Sequence, residues 1–364
     1  VRKSGAPGDP RRIRVFLVGY YGTGNLGDEA IRHAIEQEAA HLGVEILAYA
    51  NWGRANDGDP RAVRMRGFGL VRYLSACVAA DRVVLGGGGI LKDEGLRMPF
   101  ELLLTAVVAR LFGRPVALLS VGVGPFYTRY GRAAVKAVAR LATYRSVRDQ
   151  DSADELARLG LSDVEVGADP VFCLTGAKDR VGTVGQASQA CRVVVSLRPW
   201  FLRQPSQRWE AFVHDMAEVL NALEPQDLEL RFAALYWPRD REAAMAVHDH
   251  LRRLSVVPAA PSELGDLIAE LRSARLTIAM RYHAVLLAAS QRCPTVAIAY
   301  EPKVAALARQ LGIPWVAVDD PELPLRLGEN VASALHGRAA PDVARLKNLR
   351  DQARRSVVHS LTGC

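Results

Sequence analysis

The stretch Gly19-Tyr-Tyr-Gly-Thr-Gly-Asn-Leu-Gly-Asp-Glu-Ala30, written GYYGTGNLGDEA, contains a literal G-x-G-x-x-G. It lies between a β-branched apolar run at residues 13–18 (IRVFLV) and a segment, 29–42, whose apolar residues recur at helical spacing. Strand, glycine turn and helix thus come in the order that opens a parallel α/β unit. Such a turn could cradle a dinucleotide or simply redirect the chain, and the rest of the dinucleotide fingerprint decides between them. It fails. The second strand, residues 44–50, ends in Asn51, where a ribose-binding carboxylate would be expected. Asp28 and Glu29 occupy the first helical turn. They favour the helix by meeting its positive end, but they would repel a pyrophosphate placed there. Asn25 reads as the cap of that helix.

The alternation continues outward from this unit. Short apolar runs at 82–85, 115–120, 143–147 and 164–166 alternate with helical segments such as 131–142 and 152–159, the pattern of a parallel sheet covered by helices. Residues 175–189 (TGAKDRVGTVGQASQ) are small, polar and aperiodic and read as a linker. Beyond it the pattern restarts, with strand candidates at 192–196, 228–235, 276–279 and 295–299 and helices at 209–222 and 263–273. The expected organisation is a basic tail at 1–12 without fixed structure, a Rossmann-like domain at 13–175, a second at 190–337 and a basic amphipathic helix at 338–364. Two such α/β domains facing one another would place a cleft between them. In the tail, Val343, Leu346, Ala353, Val357 and Leu361 fall at roughly helical intervals among arginines. That face could pack back onto the body or lie on a membrane.

Composition narrows the function classes. The chain has 364 residues, 49% hydrophobic and 24% charged, as expected of a globular enzyme or binding protein. Its formal charge of +8 is concentrated at the ends: residues 1–12 carry four basic and one acidic side chain, and residues 338–364 six basic and two acidic. The body is close to neutral, which argues against a nucleic-acid partner, since backbone binding needs a clustered basic surface. The basic ends suit either solvated termini or an anionic membrane surface. Five scattered cysteines without C-x-x-C spacing indicate neither a disulfide framework nor a zinc site, and fit a reducing, cytoplasmic compartment. The first residues lack the apolar core of a signal peptide. The most apolar long stretch, 101–126, is interrupted by Arg110 and Arg114 and reads as helix, turn and buried strand rather than a membrane span.

In open α/β sheets ligands bind beyond the carboxyl ends of the strands, so the residues that follow each strand are read together. The first strand delivers Gly22, Gly24, Asn25 and Asp28, and the run at 82–85 delivers Gly86-Gly-Gly-Gly89, Asp93 and Glu94. The others deliver Arg148-Asp149, Asp169, Arg198, Arg281-Tyr-His283 and Lys303. Four consecutive glycines cost backbone entropy on ordering, and point to close approach of Gly88 and Gly89 to a ligand. Arg281 and His283 stand at the start of a helical segment, 284–290, where a cation, an imidazole and backbone N–H groups make an anion site.

As an ordered set, GYYGTGNLGDEA (19–30), GGGGILKD (86–93), SVRD (146–149), DPV (169–171), SLR (196–198), MRYHA (280–284) and YEPK (300–303) closely resemble the polysaccharide pyruvyl transferase family. The resemblance implies a glycosyltransferase-B-like pair of Rossmann domains that transfers pyruvate from phosphoenolpyruvate to a saccharide as a ketal, with no further cofactor and no metal. It implies that Arg198, Arg281 and His283 contact the donor's carboxylate and phosphate, that Tyr282 lines that pocket where the family usually has an apolar residue, and that Asp93 is an acid/base. Lys303 is a further candidate for the donor phosphate. Gly24, Asn25 and Asp28, with Gly88 and Gly89, are expected on the acceptor side, where Asn25 and Asp28 could hydrogen-bond sugar hydroxyls. Acceptors in the family are typically cell-wall or exopolysaccharide precursors, often lipid-linked, which would place the protein at the inner face of the plasma membrane. Two readings compete. A nucleotide-sugar glycosyltransferase of the same fold would put Arg281 and Lys303 on a diphosphate and Glu301 on a ribose, and a saccharide-binding protein would bind without turnover.

Overall fold

The computed structural model describes residues 12–51, 59–65, 69–174, 192–199, 206–223, 228–336 and 340–364. The tail expected at 1–12, apart from Arg12, and the linker expected at 175–189 lie outside the described residues. The chain divides into two compact units, one of residues 1–23, 31–173 and 351–364, the other of residues 24–30 and 174–350.

The first unit is built on β1 (Arg14–Tyr21), α1 (Leu26–His41), β2 (Glu45–Asn51), β3 (Ala62–Val63), α2 (Gly69–Ala79), β4 (Arg82–Leu91), α3 (Arg97–Leu111), β5 (Val116–Val123), α4 (Arg129–Leu141), β6 (Tyr144–Val147), α5 (Gln150–Arg158) and β7 (Glu165–Val166). Its seven strands pair in parallel in the order β3-β2-β1-β4-β5-β6-β7, the Rossmann order with one strand added. Helices on both faces of a parallel sheet bury its central strands from both sides, which is why β1 and β5 are apolar along most of their length. Phe16, Val18, Leu85, Leu118 and Val121 meet Val135, Val138 and Ala139 of α4 in one core.

One boundary differs from expectation. The glycine run was expected after a strand ending at 85, yet β4 continues through it to Leu91, with a register shift between Gly88 and Leu91. Packing explains part of the run. A Cβ on Gly86 would come 2.8 Å from Leu119 Cβ, and one on Gly87, where φ is +75°, would collide with Ile31. Gly89 is different, because a Cβ there would meet nothing within 4 Å.

The second unit repeats the plan with β8 (Arg192–Ser196), α6 (Ser206–Asn221), β9 (Glu229–Phe232), α7 (Arg239–His248), β10 (Ser255–Val256), α8 (Leu264–Ser273), β11 (Leu276–Ala279), α9 (Tyr282–Ser290), β12 (Thr295–Ala299), α10 (Pro302–Leu311), β13 (Trp315–Ala317) and α11 (Leu323–Leu335). Its six parallel strands run β10-β9-β8-β11-β12-β13, again the Rossmann order. Val193, Val195, Ile278 and Ile298 pack with Phe212 and Met216 of α6 and Leu327 and Val331 of α11. α10 shows how sequence sets its own ends: Pro302 opens it and Gly312, at φ +70°, closes it in the left-handed region.

The last helix, α12 (Val343–Thr362), buries Ala353, Val357 and Leu361 completely. From Asp351 onward it is part of the first unit, where Arg354 Nε donates to Glu38 Oε2 at 3.2 Å and the His359 ring lies 4.0 Å from that of Tyr144. Val343, expected on the same apolar face, is instead 55% exposed, and Leu349 is buried. Among the described residues no helix is long and apolar enough to cross a membrane.

Candidate functional site

In the second unit the chain runs outward from β8 in one direction to β9 and β10, and in the other to β11, β12 and β13. The crevice at the carboxyl ends of β8 and β11 is therefore the topological switch point, where open α/β sheets bind ligands. Ser196 and Ala279 are register partners across these two strands. Arg198 and Arg281, each two residues further on, thus leave neighbouring strands at the same level.

Arg281 stands immediately before α9 as its N-cap residue. Its guanidinium grips Asp240, with Nε donating to Oδ1 at 3.1 Å and Oδ2 at 3.0 Å while Nη2 also donates to Oδ1. Asp240 is only 1% exposed, and its Oδ2 also accepts from the backbone N–H of Tyr236 at 2.9 Å. This carboxylate from the first turn of α7 fixes the arginine's Nε/Nη2 edge. Tyr282 is buried and sets its ring edge-on against His283, with centroids 5.3 Å apart.

A second cluster surrounds Arg198. Its Nη1 donates to the Tyr300 hydroxyl at 2.7 Å, and its guanidinium lies 4.4 Å from the centre of that ring. Glu301 caps no backbone N–H of α10 with its side chain. It is paired with Lys303 and lies 3.9 Å from Arg198. Arg198, Arg281 and Lys303 thus each have a partner supplied by the chain.

The opening glycine turn belongs to this unit from Gly24 to Ala30. Asn25 makes an isolated antiparallel bridge with Tyr236, and the Leu26 N–H donates to the Leu235 carbonyl at 2.8 Å. The Asn25 side chain caps α1, its Oδ1 accepting from Gly27 N at 3.2 Å and its Nδ2 donating to Asp28 Oδ2 at 2.5 Å. Gly27 is the third glycine of G-x-G-x-x-G, and it is required because a Cβ there would collide with the His283 ring. The turn therefore brings Asn25 and Asp28 to the helix that carries His283, with Gly24 exposed at φ +79°. In the first unit, Asn51 fills the space beside Gly22, where a side chain on the glycine would strike it. That is the place a ribose-binding acid would take.

The switch point of the first unit lies between β1 and β4. Gly88 is buried at φ +73°, while Gly89 is half-buried and faces open space. Asp93, beyond the end of β4, is 3% exposed. Its Oδ1 accepts from Tyr127 N at 2.5 Å, and its Oδ2 accepts from Thr128 N and from Thr128 Oγ1, both at 2.7 Å. Burial alone would raise its pKa, but these donors outweigh burial and hold the carboxyl below the usual aspartate value. Thr128 Oγ1 in turn accepts from Gly131 N at 2.9 Å and caps α4. The Arg148-Asp149 and Asp169 motifs have a structural explanation. Arg148 is 7% exposed and pairs with Asp149 at 3.1 Å and Asp169 at 3.8 Å.

Reasoning from sequence missed Asp240 and Tyr300. Tyr300 stood inside a quoted motif, whereas Asp240 in Pro-Arg-Asp-Arg-Glu resembles any solvated acid beside arginines.

Two parallel sheets in Rossmann order, with their polar residues gathered at the strand ends, define a glycosyltransferase-B-like α/β protein. Residues 25–302 match the polysaccharide pyruvyl transferase family, and the chain belongs to it. It is similar to the amylovoran biosynthesis protein AmsJ of Erwinia amylovora, 26% identical over an alignment of 261 positions that covers 66% of this chain and 61% of that protein. The match thus spans about three-fifths of that relative's length. Among solved structures, the UDP-GlcNAc 2-epimerase of Methanocaldococcus jannaschii superposes with a TM-score of 0.61 at 13% identity, covering 97% of this chain and 100% of that one. MnaA of S. aureus, solved with UDP, gives 0.62 at 12% identity over 96% and 95%. Anabaena HepE, solved with UDP-glucose, gives 0.56 at 11% over 96% of both chains. At such identities the likeness concerns the fold alone.

Proposed function

We propose that the protein transfers pyruvate from phosphoenolpyruvate onto two hydroxyls of a saccharide as a ketal, releasing phosphate, in the synthesis of a polysaccharide or its precursor. Beside family membership, one observation carries this reading: Arg198 and Arg281 leave adjacent strands at one level of the switch point, with His283 two residues further on in α9. Phosphoenolpyruvate carries about three negative charges near neutrality, and paired arginines with a helix N-terminus are suited to a carboxylate and a phosphate. In this reading the Nη1 side of Arg281 and the guanidinium of Arg198 hold the donor, Lys303 exchanges Glu301 for phosphate, and Tyr282 keeps the imidazole of His283 in place.

The chemistry needs a proton on the methylene carbon, which becomes a methyl group, and a bond from one hydroxyl oxygen to the central carbon. The bond from that carbon to the phosphate oxygen then breaks as the second hydroxyl oxygen attacks. Of the two hydroxyl protons, one balances the methyl group and the other leaves with phosphate or solvent. His283 is proposed to handle the proton at the phosphate or the hydroxyl. Asn25 and Asp28 are proposed to bind acceptor hydroxyls, which tolerate the nearby negative charge. As a base Asp93 would work against the Tyr127 and Thr128 donors, which favour its charged form, and its geometry suits holding the 125–128 loop.

The test is calorimetric and thermal-shift titration with phosphoenolpyruvate, alongside a panel of nucleotide sugars. Arg198→Ala serves as the variant because Arg198 has no buried acid to leave behind. Stabilisation by phosphoenolpyruvate that disappears in the variant is the expected result. A response to a nucleotide sugar alone would overturn it.

A further inference from the structure

α3 turns the wrong face outward. It packs its Leu102, Ala106 and Ala109 side against the first unit's core, as an amphipathic helix should. Yet its opposite face is also apolar: Leu96 is 38% exposed, Phe100 47%, Leu104 44%, Val107 36% and Leu111 78%, and Phe112 follows at 58%. At 100° per residue the five from Leu96 to Leu111 fall within an arc of about 80°, a continuous stripe along the helix. Exposed Val71 of α2, a helix that packs on α3, stands at 71%. Isolated apolar residues on a surface need no explanation, but a contiguous stripe marks an interaction site.

The charge around the stripe identifies the partner. Between Gly95 and Ala142 the chain has seven basic side chains and one acidic, although the body of the protein as a whole is near neutral. Arg97 and Arg110 flank the stripe on α3, and Arg129, Arg132 and Arg140 are exposed on α4, which packs against α3. Tyr127 and Tyr130, 61% and 55% exposed, stand at the start of α4, with Arg129 lying 4.8 Å from the Tyr130 ring centre. Apolar stripe, interfacial aromatics and surrounding arginines match the layering of a bilayer surface, from acyl chains through the headgroup boundary to anionic phosphates.

We propose that α3 is a membrane-docking helix that seats its Phe100, Leu104, Val107 and Leu111 face in an anionic bilayer surface while the arginines of α3 and α4 engage lipid phosphates. The protein docks without spanning, and the contact lies on α3 rather than on the basic chain ends.

Co-sedimentation of the full chain with phosphatidylcholine vesicles, with and without phosphatidylglycerol, tests this. The wild type is expected to bind the phosphatidylglycerol vesicles. Leu104→Ser/Leu111→Ser should weaken binding by at least about tenfold, and Arg110→Glu should weaken it selectively for anionic vesicles. These side chains are exposed, so the circular dichroism and melting temperature of both variants should match the wild type. Failure of the wild type to bind either vesicle would overturn the proposal, as would binding that the double serine variant leaves unchanged. So would a wild-type dimer that falls apart in the same variant, because the stripe would then be covered by a second copy of the chain.

Discussion

The Arg281–Asp240 pair offers the sharpest test of how the strand-end site is held. Asp240→Asn keeps the acceptor for the Tyr236 N–H, which lies 2.9 Å from Oδ2, but removes the negative charge that faces Arg281. The acid is 1% exposed and the arginine side chain 14%, so the cation loses its partner where little water can replace it. Removing one partner from a buried ion pair costs about 3–5 kcal/mol, and the arginine's residual exposure argues for the lower end, about 3 kcal/mol. For a folding unit of this size that corresponds to a melting temperature lower by about 6–12 °C. The second half of the prediction separates charge from shape. In Asp240→Asn/Arg281→Met no charge remains to be stranded, and the double variant should regain at least about 1 kcal/mol over the single one, because replacing both partners costs less than orphaning one. Urea unfolding of the wild type, both single variants and the double variant, followed by calorimetry, measures the coupling. A single variant that loses less than about 1 kcal/mol, or a double variant no better than the single one, would refute the reasoning.

Three further outcomes follow from other parts of the molecule. Asp93→Asn should destabilise by about 1.5–3 kcal/mol at neutral pH through its charge-assisted bonds to Tyr127 and Thr128. Because its folded pKa is depressed, that contribution is fully present above the ordinary aspartate value of about 3.9 and is lost as pH falls through the folded one, so the variant's acid-unfolding curve should be shallower. Near-normal turnover in that variant would remove the acid/base role and leave the loop-holding one. Gly87→Ala, strained by positive φ and by Ile31, should cost about 1–3 kcal/mol, whereas Gly89→Ala should leave stability within about 0.5 kcal/mol, so that lost activity at Gly89 would report a ligand. Glu301→Gln should tighten phosphoenolpyruvate binding by about threefold in calorimetry, since the exposed acid competes with the donor for Lys303 and Arg198. Weaker binding would mean that Glu301 itself touches the ligand.

Much of this fold was legible because parallel strands buried on both faces must be apolar throughout. β1, β2, β5, β8, β11 and β12 stand out as runs for that reason. β3, β10 and β13, two or three residues long at or near sheet edges, leave no such trace. Only the first half of β4 shows in the sequence because glycine carries no strand signal, although Leu119 and Ile31 leave no room for side chains at Gly86 and Gly87. The site was legible where residues follow strands directly, as Arg198, Arg281 and His283 do. It was illegible where two distant residues explain one another. Gly27 looks like part of a phosphate loop until His283 is seen against it, and Asp240 looks solvated until Arg281 closes on it.

The two acids at this site differ in a way that bears on how an anion would enter. Asp240 has a fully buried side chain, is held by a backbone N–H and grips one edge of Arg281, so it is part of the scaffold that aims the guanidinium. Glu301 is 40% exposed, bonds no helix N–H and rests on Lys303 and near Arg198, so it is the more readily displaced. A site with its cations fully bare would suffer mutual repulsion in the free protein, and one with every cation locked to a buried acid could not attract a multiply charged donor. One fixed and one exchangeable carboxylate avoid both. On the proposed reading, binding replaces the Glu301 contacts with phosphate oxygens while Arg281 stays oriented, so little ordering is left for the ligand to impose. The exchange then predicts salt-sensitive donor binding, because Lys303 and Glu301 are both accessible to counterions.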